Sequence, residues 1–234
     1  MKSLDYLIEK FTTSEISKEF SKADLHIHST FSKDSLLTPS EIVKLSIKRG
    51  IDIIAVTDHN TVKGGVETRR IARNTNLLVI PGVEVRTNLG DVILLFVEED
   101  PKTKDFDELL DLVKGLDAIT VLPHPFRGHK KLNHLALNVD MIEVMNGRSL
   151  RSHNLMAKKL AELLKKPISA GSDAHYSMEL GCVQLLFSTK VSDEEELRRA
   201  LLNTIPLVVG KESPILVHIL SMLTQLMRRF TNEG

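Results

Sequence analysis

Histidines and acidic residues stand at the ends of apolar runs at six places along this 234-residue chain. They are Asp24-Leu25-His26-Ile27-His28, Thr57-Asp58-His59, Pro81-Gly82-Val83-Glu84, Leu122-Pro123-His124-Pro125, Ile142-Glu143 and Gly171-Ser172-Asp173-Ala174-His175. Imidazole and carboxylate bind Zn²⁺, Mn²⁺ or Fe²⁺ where no thiolate is at hand. In an extended strand side chains alternate between faces, so His26 and His28 share one face while Leu25 and Ile27 share the other. The same alternation pairs Asp173 with His175. A lone His-x-His is weak evidence, since surface pairs are common. Two such pairs, with acid or histidine strand ends between them, point to a polynuclear metal centre. Closely spaced divalent ions lower the pKa of bound water, which makes metal-dependent hydrolysis the expected chemistry.

Six sites scattered over 150 residues need a frame that brings them together. Apolar runs read as strands near 24–28, 51–57, 77–85, 91–97, 118–123, 140–145 and 167–171. Helical patterns lie between most of them. Thr38, Pro39 and Glu41 mark a capped helix start that Gly50 ends. Further helices are expected from Asn60 to about Arg73, Asp105 to Lys114, Ser149 to Lys165, and over 192–202. Alternating β and α elements imply a largely parallel sheet, and closed on itself it is a TIM-like barrel whose catalytic residues gather at one mouth. The expected organisation is one α/β domain at 23–210, with a helical extension at 1–22 and a C-terminal helix at 211–234. In that last helix Leu216, Ile219, Leu220, Leu223, Leu226, Met227 and Phe230 form a wide apolar face, to be packed on the barrel or on a second copy in a homodimer.

Composition narrows the partners. Lys plus Arg and Asp plus Glu are both 31, so there is no electrostatic footprint for long nucleic acid. No run is long and apolar enough to suggest a membrane span. A single cysteine, Cys182, favours a reducing compartment, and with no secretory signal evident the expected location is the cytoplasm.

Taken in order, these motifs resemble the PHP (polymerase and histidinol phosphatase) family of metal-dependent phosphoesterases, over roughly residues 23–180. Asp24-Leu25-His26-Ile27-His28-Ser29 looks like its first motif, Ala55-Val56-Thr57-Asp58-His59-Asn60 its second and Pro81-Gly82-Val83-Glu84 its third. Leu122-Pro123-His124-Pro125 and Gly171-Ser172-Asp173-Ala174-His175 look like its last ligand motifs. The resemblance implies a distorted, seven-stranded βα barrel with two or three divalent ions (Mn²⁺, Zn²⁺ or Fe²⁺). It implies that His26, His28, Glu84 and Asp173 hold one ion, that Glu84 bridges to a second near His124, and that Asp34, His59 and His175 hold a third. Glu143 is a further candidate ligand or a group behind the ligands. Many members carry a histidine on the strand after the glutamate; here Ile93 is taken to fill that slot, so the second ion is expected to be weak, water-completed or missing.

The expected reaction is attack of a metal-bound hydroxide on phosphorus in a small phosphorylated substrate, a phosphomonoester, a nucleotide or a short oligonucleotide end. Asp173, His59 and Glu84 are the candidate catalytic residues. Arg127, Arg148, Asn146 and Asn154 are candidate substrate contacts, because they follow strand ends and guanidinium suits phosphate. Arg148 as a solvated helix start and Arg127 as a loop charge remain open. Three alternatives are weighed against this. A protein-tyrosine phosphatase lies within the same class. An amidohydrolase would end in a lone aspartate, unlike Asp173-x-His175. A degenerate scaffold subunit of an RNA-processing complex would be expected to lose ligands and gain basic surface.

Overall fold

The computed structural model describes residues 20–213; the expected N-terminal extension and the C-terminal helix lie outside them. Nine strands form one nearly closed sheet: β1 (Ser21–Ile27), β2 (Ile53–Val56), β3 (Leu78–Arg86), β4 (Asp91–Leu95), β5 (Ile119–Leu122), β6 (Met141–Asn146), β7 (Ile168–Gly171), β8 (Val183–Phe187) and β9 (Leu207–Gly210). Their order is β7-β6-β5-β4-β3-β2-β1-β8-β9. Six helices accompany them: α1 (Pro39–Lys48), α2 (Lys63–Ala72), α3 (Phe106–Val113), α4 (Leu132–Asn138), α5 (Arg151–Leu164) and α6 (Glu194–Asn203).

The expected α/β barrel is present, with two corrections. The strand count is nine, not seven, because β8 and β9, paired antiparallel across α6, extend the sheet outside β1. The sheet is also less parallel than expected. β4 runs antiparallel to both β3 and β5, because only Thr87-Asn88-Leu89-Gly90 separates it from β3, too few residues for a crossover. Gly90, at φ +146°, completes that turn. Helix α4 was not anticipated; at seven residues it shows too few turns for a readable period.

Local chemistry explains the elements that were legible. Thr38 and Glu41 form the expected capping box, with the Glu41 N–H donating to Thr38 Oγ1 at 3.2 Å and the Thr38 N–H donating to Glu41 Oε2 at 2.9 Å. Alternation sorts the barrel: Ile53 and Ala55 join Ala23, Leu25, Ile80, Ile93 and Val121 in one buried cluster, while Ile54 and Val56 pack with Ile42 and Val43 of α1 in another. β1 breaks this rule. Leu25 belongs to the first cluster but Ile27 to the second, so they do not share a face. The β1–β2 register shifts between Asp24 and Ile27, and such an irregularity re-aims the side chains beyond it.

β7 meets β1 where the sheet closes. Asp173 N–H donates to the His26 carbonyl at 2.7 Å and His28 N–H to that of Ala174 at 2.9 Å. Below them Asp24 replaces missing ladder bonds: its carboxylate accepts from the Ser172 N–H, the Ser172 hydroxyl and the Gly181 N–H, at 2.8, 2.5 and 2.8 Å. Gly171 allows the approach, since a Cβ there would stand 2.4 Å from that of His26.

Candidate metal centre

Four buried side chains from three chain segments converge at this seam. His26 Nε2 lies 3.1 Å from His28 Nε2, 3.8 Å from Glu84 Oε2 and 3.6 Å from Asp173 Oδ1. His28 Nε2 lies 3.4 Å from Glu84 Oε2 and 3.3 Å from Asp173 Oδ1. Four ligands about 2.05 Å from a tetrahedral ion would stand about 3.3 Å apart. The five separations bracket that value, so the donor set has the size and the N/O chemistry of a divalent-cation site.

The imidazoles are oriented from behind, which fixes the nitrogens that face inward. Glu143 Oε1 lies 3.0 Å from His26 Nδ1, the Asp173 carbonyl 2.8 Å from His175 Nδ1 and Ser32 Oγ 3.2 Å from His28 Nδ1. An acceptor at Nδ1 selects the Nδ1–H tautomer and leaves the Nε2 lone pair for an ion. Ser32 is itself held by Asp58, to which its hydroxyl donates at 2.6 Å, and it accepts from the His59 N–H at 3.0 Å. Asp58 also accepts from the Ser29 N–H and hydroxyl, at 2.7 and 2.6 Å, so it fastens the loop after β1.

Two further groups adjoin the first. Asp34 Oδ2 is 3.5 Å from both His59 Nε2 and His175 Nε2. Glu84 turns its other oxygen, Oε1, to His124 Nε2 at 2.9 Å. There Asp91 joins them: ligand atoms of Glu84, Asp91 and His124 lie within 4.8 Å of one another. Asp91 went unread because the expected slot was set at Ile93, which is 2% exposed in the barrel core. The reversal of β4 explains the miss. Glu84 pairs with Ile93 and Arg86 with Asp91, so moving toward the mouth means moving back along β4.

Charge within the centre is tightly compensated. Burial pushes the carboxyls of Glu84 and Asp173 upward, but the imidazoles facing Glu84, and His26 with Arg127 facing Asp173, hold both well below the usual range. Burial likewise opposes charge on His59, yet Glu84 and Asp34 raise it to about 10. His28, buried and facing His175 and His59, falls to about 3. Without cations the carboxylates are thus balanced by protonated imidazoles, positions that divalent ions would take over with release of protons. Asp173 and His124 have φ of +54° and +31°, a backbone region that costs about 1–3 kcal/mol in non-glycine residues and collects at functional sites.

The structure thus brings together His26, His28, Asp34, His59, Glu84, His124, Asp173 and His175, with Glu143 directly behind His26. The four proposed substrate contacts are placed differently from one another. Arg127 Nη2 donates to Asp173 Oδ2 at 2.8 Å while its side chain stays 42% exposed at the mouth. Asn146 Nδ2 donates to Glu143 Oε2 and Asp173 Oδ2, at 3.0 and 3.2 Å. The Arg148 side chain is mostly buried, with Nε 3.0 Å from Glu179 Oε1. Asn154 accepts from the Asn146 N–H at 3.1 Å and donates to its carbonyl at 3.1 Å, which clamps the β6–α5 turn. Glu179 was not anticipated; its carboxylate takes the His175 and Tyr176 N–H groups at 2.9 and 3.0 Å. Nothing in its neighbourhood along the chain, Met178 to Gly181, signals that task.

Comparison with known proteins bears on the same residues. The PHP domain model matches residues 24–168, more than half the chain and five of the six motifs. This chain belongs to the PHP family. A PHP-associated model matches residues 151–204. A protein of Methanocaldococcus jannaschii is 36% identical over 180 residues, 71% of this chain and 70% of its own length. A 3′,5′-nucleoside bisphosphate phosphatase of Chromobacterium violaceum is 36% identical over 67 residues, 29% of this chain and 23% of the relative. A two-domain Bacteroides vulgatus protein containing a predicted PHP-like metal-dependent phosphoesterase superposes with a TM-score of 0.70 at 20% identity, covering 83% of this chain and 66% of that one; this likeness is one of fold. The PHP chain is a hydrolase of phosphoric ester bonds with residue clusters suited to metal ions. No helix among the described residues is long and apolar enough to cross a membrane.

Proposed function

We propose that this PHP protein hydrolyses a small phosphorylated substrate, a phosphomonoester of nucleotide size, at a centre of three divalent ions. His26, His28, Glu84 and Asp173 hold the first, Glu84, Asp91 and His124 the second, and Asp34, His59 and His175 the third. The observation that carries the reading is the set of ligand separations around the first position, 3.1 to 3.8 Å. Ions bound there supply Lewis acidity at the phosphoryl oxygens and a lowered pKa for water. The residues do the rest. Asp173, kept anionic by His26 and Arg127, holds no proton to donate and serves as a ligand. The half-exposed guanidinium of Arg127, paired with Asp173 through Nη2, is the phosphate donor at the mouth, whereas Arg148 and Asn154 support the turn behind it.

A small substrate fits the balanced net charge, which offers no extended attraction for a polyanion. A nucleotide is favoured by the bisphosphate phosphatase among the relatives. The ligand set of nitrogen and oxygen suits Mn²⁺, Fe²⁺ or Zn²⁺. The single Cys182, half-buried beside Ser213, accords with the reducing cytoplasm. The test is a panel of nucleotides, nucleoside bisphosphates, sugar phosphates, histidinol phosphate and phosphotyrosine peptides, assayed with each metal. His59→Ala and Asp173→Ala should each abolish turnover of whichever is hydrolysed. Near-normal turnover in both variants would end the proposal.

A further inference from the structure

A groove of about 1070 Å³ runs along α5, between that helix and the stretch from Leu202 to Glu212. Its walls hold Leu155, Leu202, Ile205 and Leu207, all exposed, with Ile205 at 90%. Apolar side chains gathered this way mark a surface built to be covered. The described chain stops at its rim. Lys211 and Glu212 line the groove, and Ser213 is fastened by its N–H to the Gly147 carbonyl at 2.6 Å. Residues 214–234 continue from that point, and 214–227 contain no Asp, Glu, Lys or Arg. Their apolar residues recur at helical spacing.

We propose that residues 214–230 lie in this groove of their own chain, as a helix packed alongside α5. The dimensions match. Fourteen residues of helix, 214–227, extend about 21 Å, the length of the fourteen-residue α5. Direction follows from the anchor. Glu212 Oε1 is 3.3 Å from Asn154 Nδ2 in the first turn of α5, so the segment starts at that end and runs toward Lys165. A second copy is the weaker occupant. A segment joined to the groove rim without a linker has an effective concentration of order millimolar, which a free chain at micromolar concentration does not match.

The parallel course sets residue 221 level with residue 162, each eight positions beyond its start at 213 or 154. In full-length Cys182→Ala protein, Glu162→Cys with Ser221→Cys should give an intramolecular adduct with a short bismaleimide, at monomer mass. An adduct of twice that mass, or none, would overturn the proposal in favour of a second copy or an outside partner. Hydrogen exchange supplies a measurement without cross-linking. Amides of 214–227 should exchange at least tenfold faster in Leu155→Asp/Ile205→Asp protein than in wild type, and equal rates would also overturn it. Neither readout depends on phosphoesterase activity.

Discussion

Glu143 makes no direct claim on an ion, yet exchanging one of its oxygens for nitrogen should cost the first ion much of its affinity. The carboxylate does two jobs at once. Oε1 accepts from His26 Nδ1–H at 3.0 Å, while Oε2 accepts from the His124 N–H at 2.7 Å and Asn146 Nδ2 at 3.0 Å. The amide of Glu143→Gln can satisfy only one side. With its oxygen on His26, its NH₂ faces two donors. Turned over, its NH₂ donates to His26 Nδ1, which moves the imidazole proton to Nε2 and removes a ligand lone pair. Losing the partner of a metal-binding histidine costs about 10–100-fold in metal affinity, or about 1.4 to 2.8 kcal/mol. Mn²⁺ titration by calorimetry would read this directly, with Glu84→Gln as the control that loses two ions. Thermal unfolding of the metal-free variant separates any general loss of stability. A first-ion affinity within twofold of wild type, while Glu84→Gln loses its two ions, would refute the tautomer argument.

Three other outcomes follow from the same geometry. Asp91→Asn should bind one ion fewer than wild type by elemental analysis, and Asp91→His should regain it with a shift from Mn²⁺ toward Zn²⁺. Metal-free protein should lose stability as pH rises from about 7 to 10. His59 titrates near 10 when folded and near 6.5 when unfolded, so its contribution is complete below 6.5 and gone above 10; melting temperatures across that range, flat if the reasoning fails, decide it. Burial pushes the Cys182 thiol up to about 12. At pH 8 its alkylation by iodoacetamide should therefore be roughly a thousandfold slower than that of an unfolded cysteine, which titrates near 8.5; comparable rates with and without denaturant would contradict this.

Much of the frame was legible because its signals are local. Thr38, Pro39 and Glu41 announce α1, and seven apolar runs fall on β1 to β7. What failed needed knowledge of neighbours. Strand direction is set by pairing, so the turn at Gly90 reversed β4 and moved the mouth position from Ile93 to Asp91. The irregularity in β1 is likewise a property of its register with β2, invisible in alternating residues. The ligand candidates could be proposed because their residue types are costly to bury unless something binds them. Asn154 and Glu179 could not be assigned so readily, since amides and acids that hold backbone groups look like any solvated loop residue until the partner segment is in place.

The seam between β1 and β7 has a mechanical corollary. His26 and Asp173 sit on opposite sides of it and are joined there by few backbone hydrogen bonds. A cation shared between them would act as a removable rivet across a loop of about 150 residues, a constraint that chain-entropy arguments value at about 5 kcal/mol at most. Withdrawing the ion would then loosen the cylinder along one meridian, leaving the far wall, where β4 is stitched on both edges, intact.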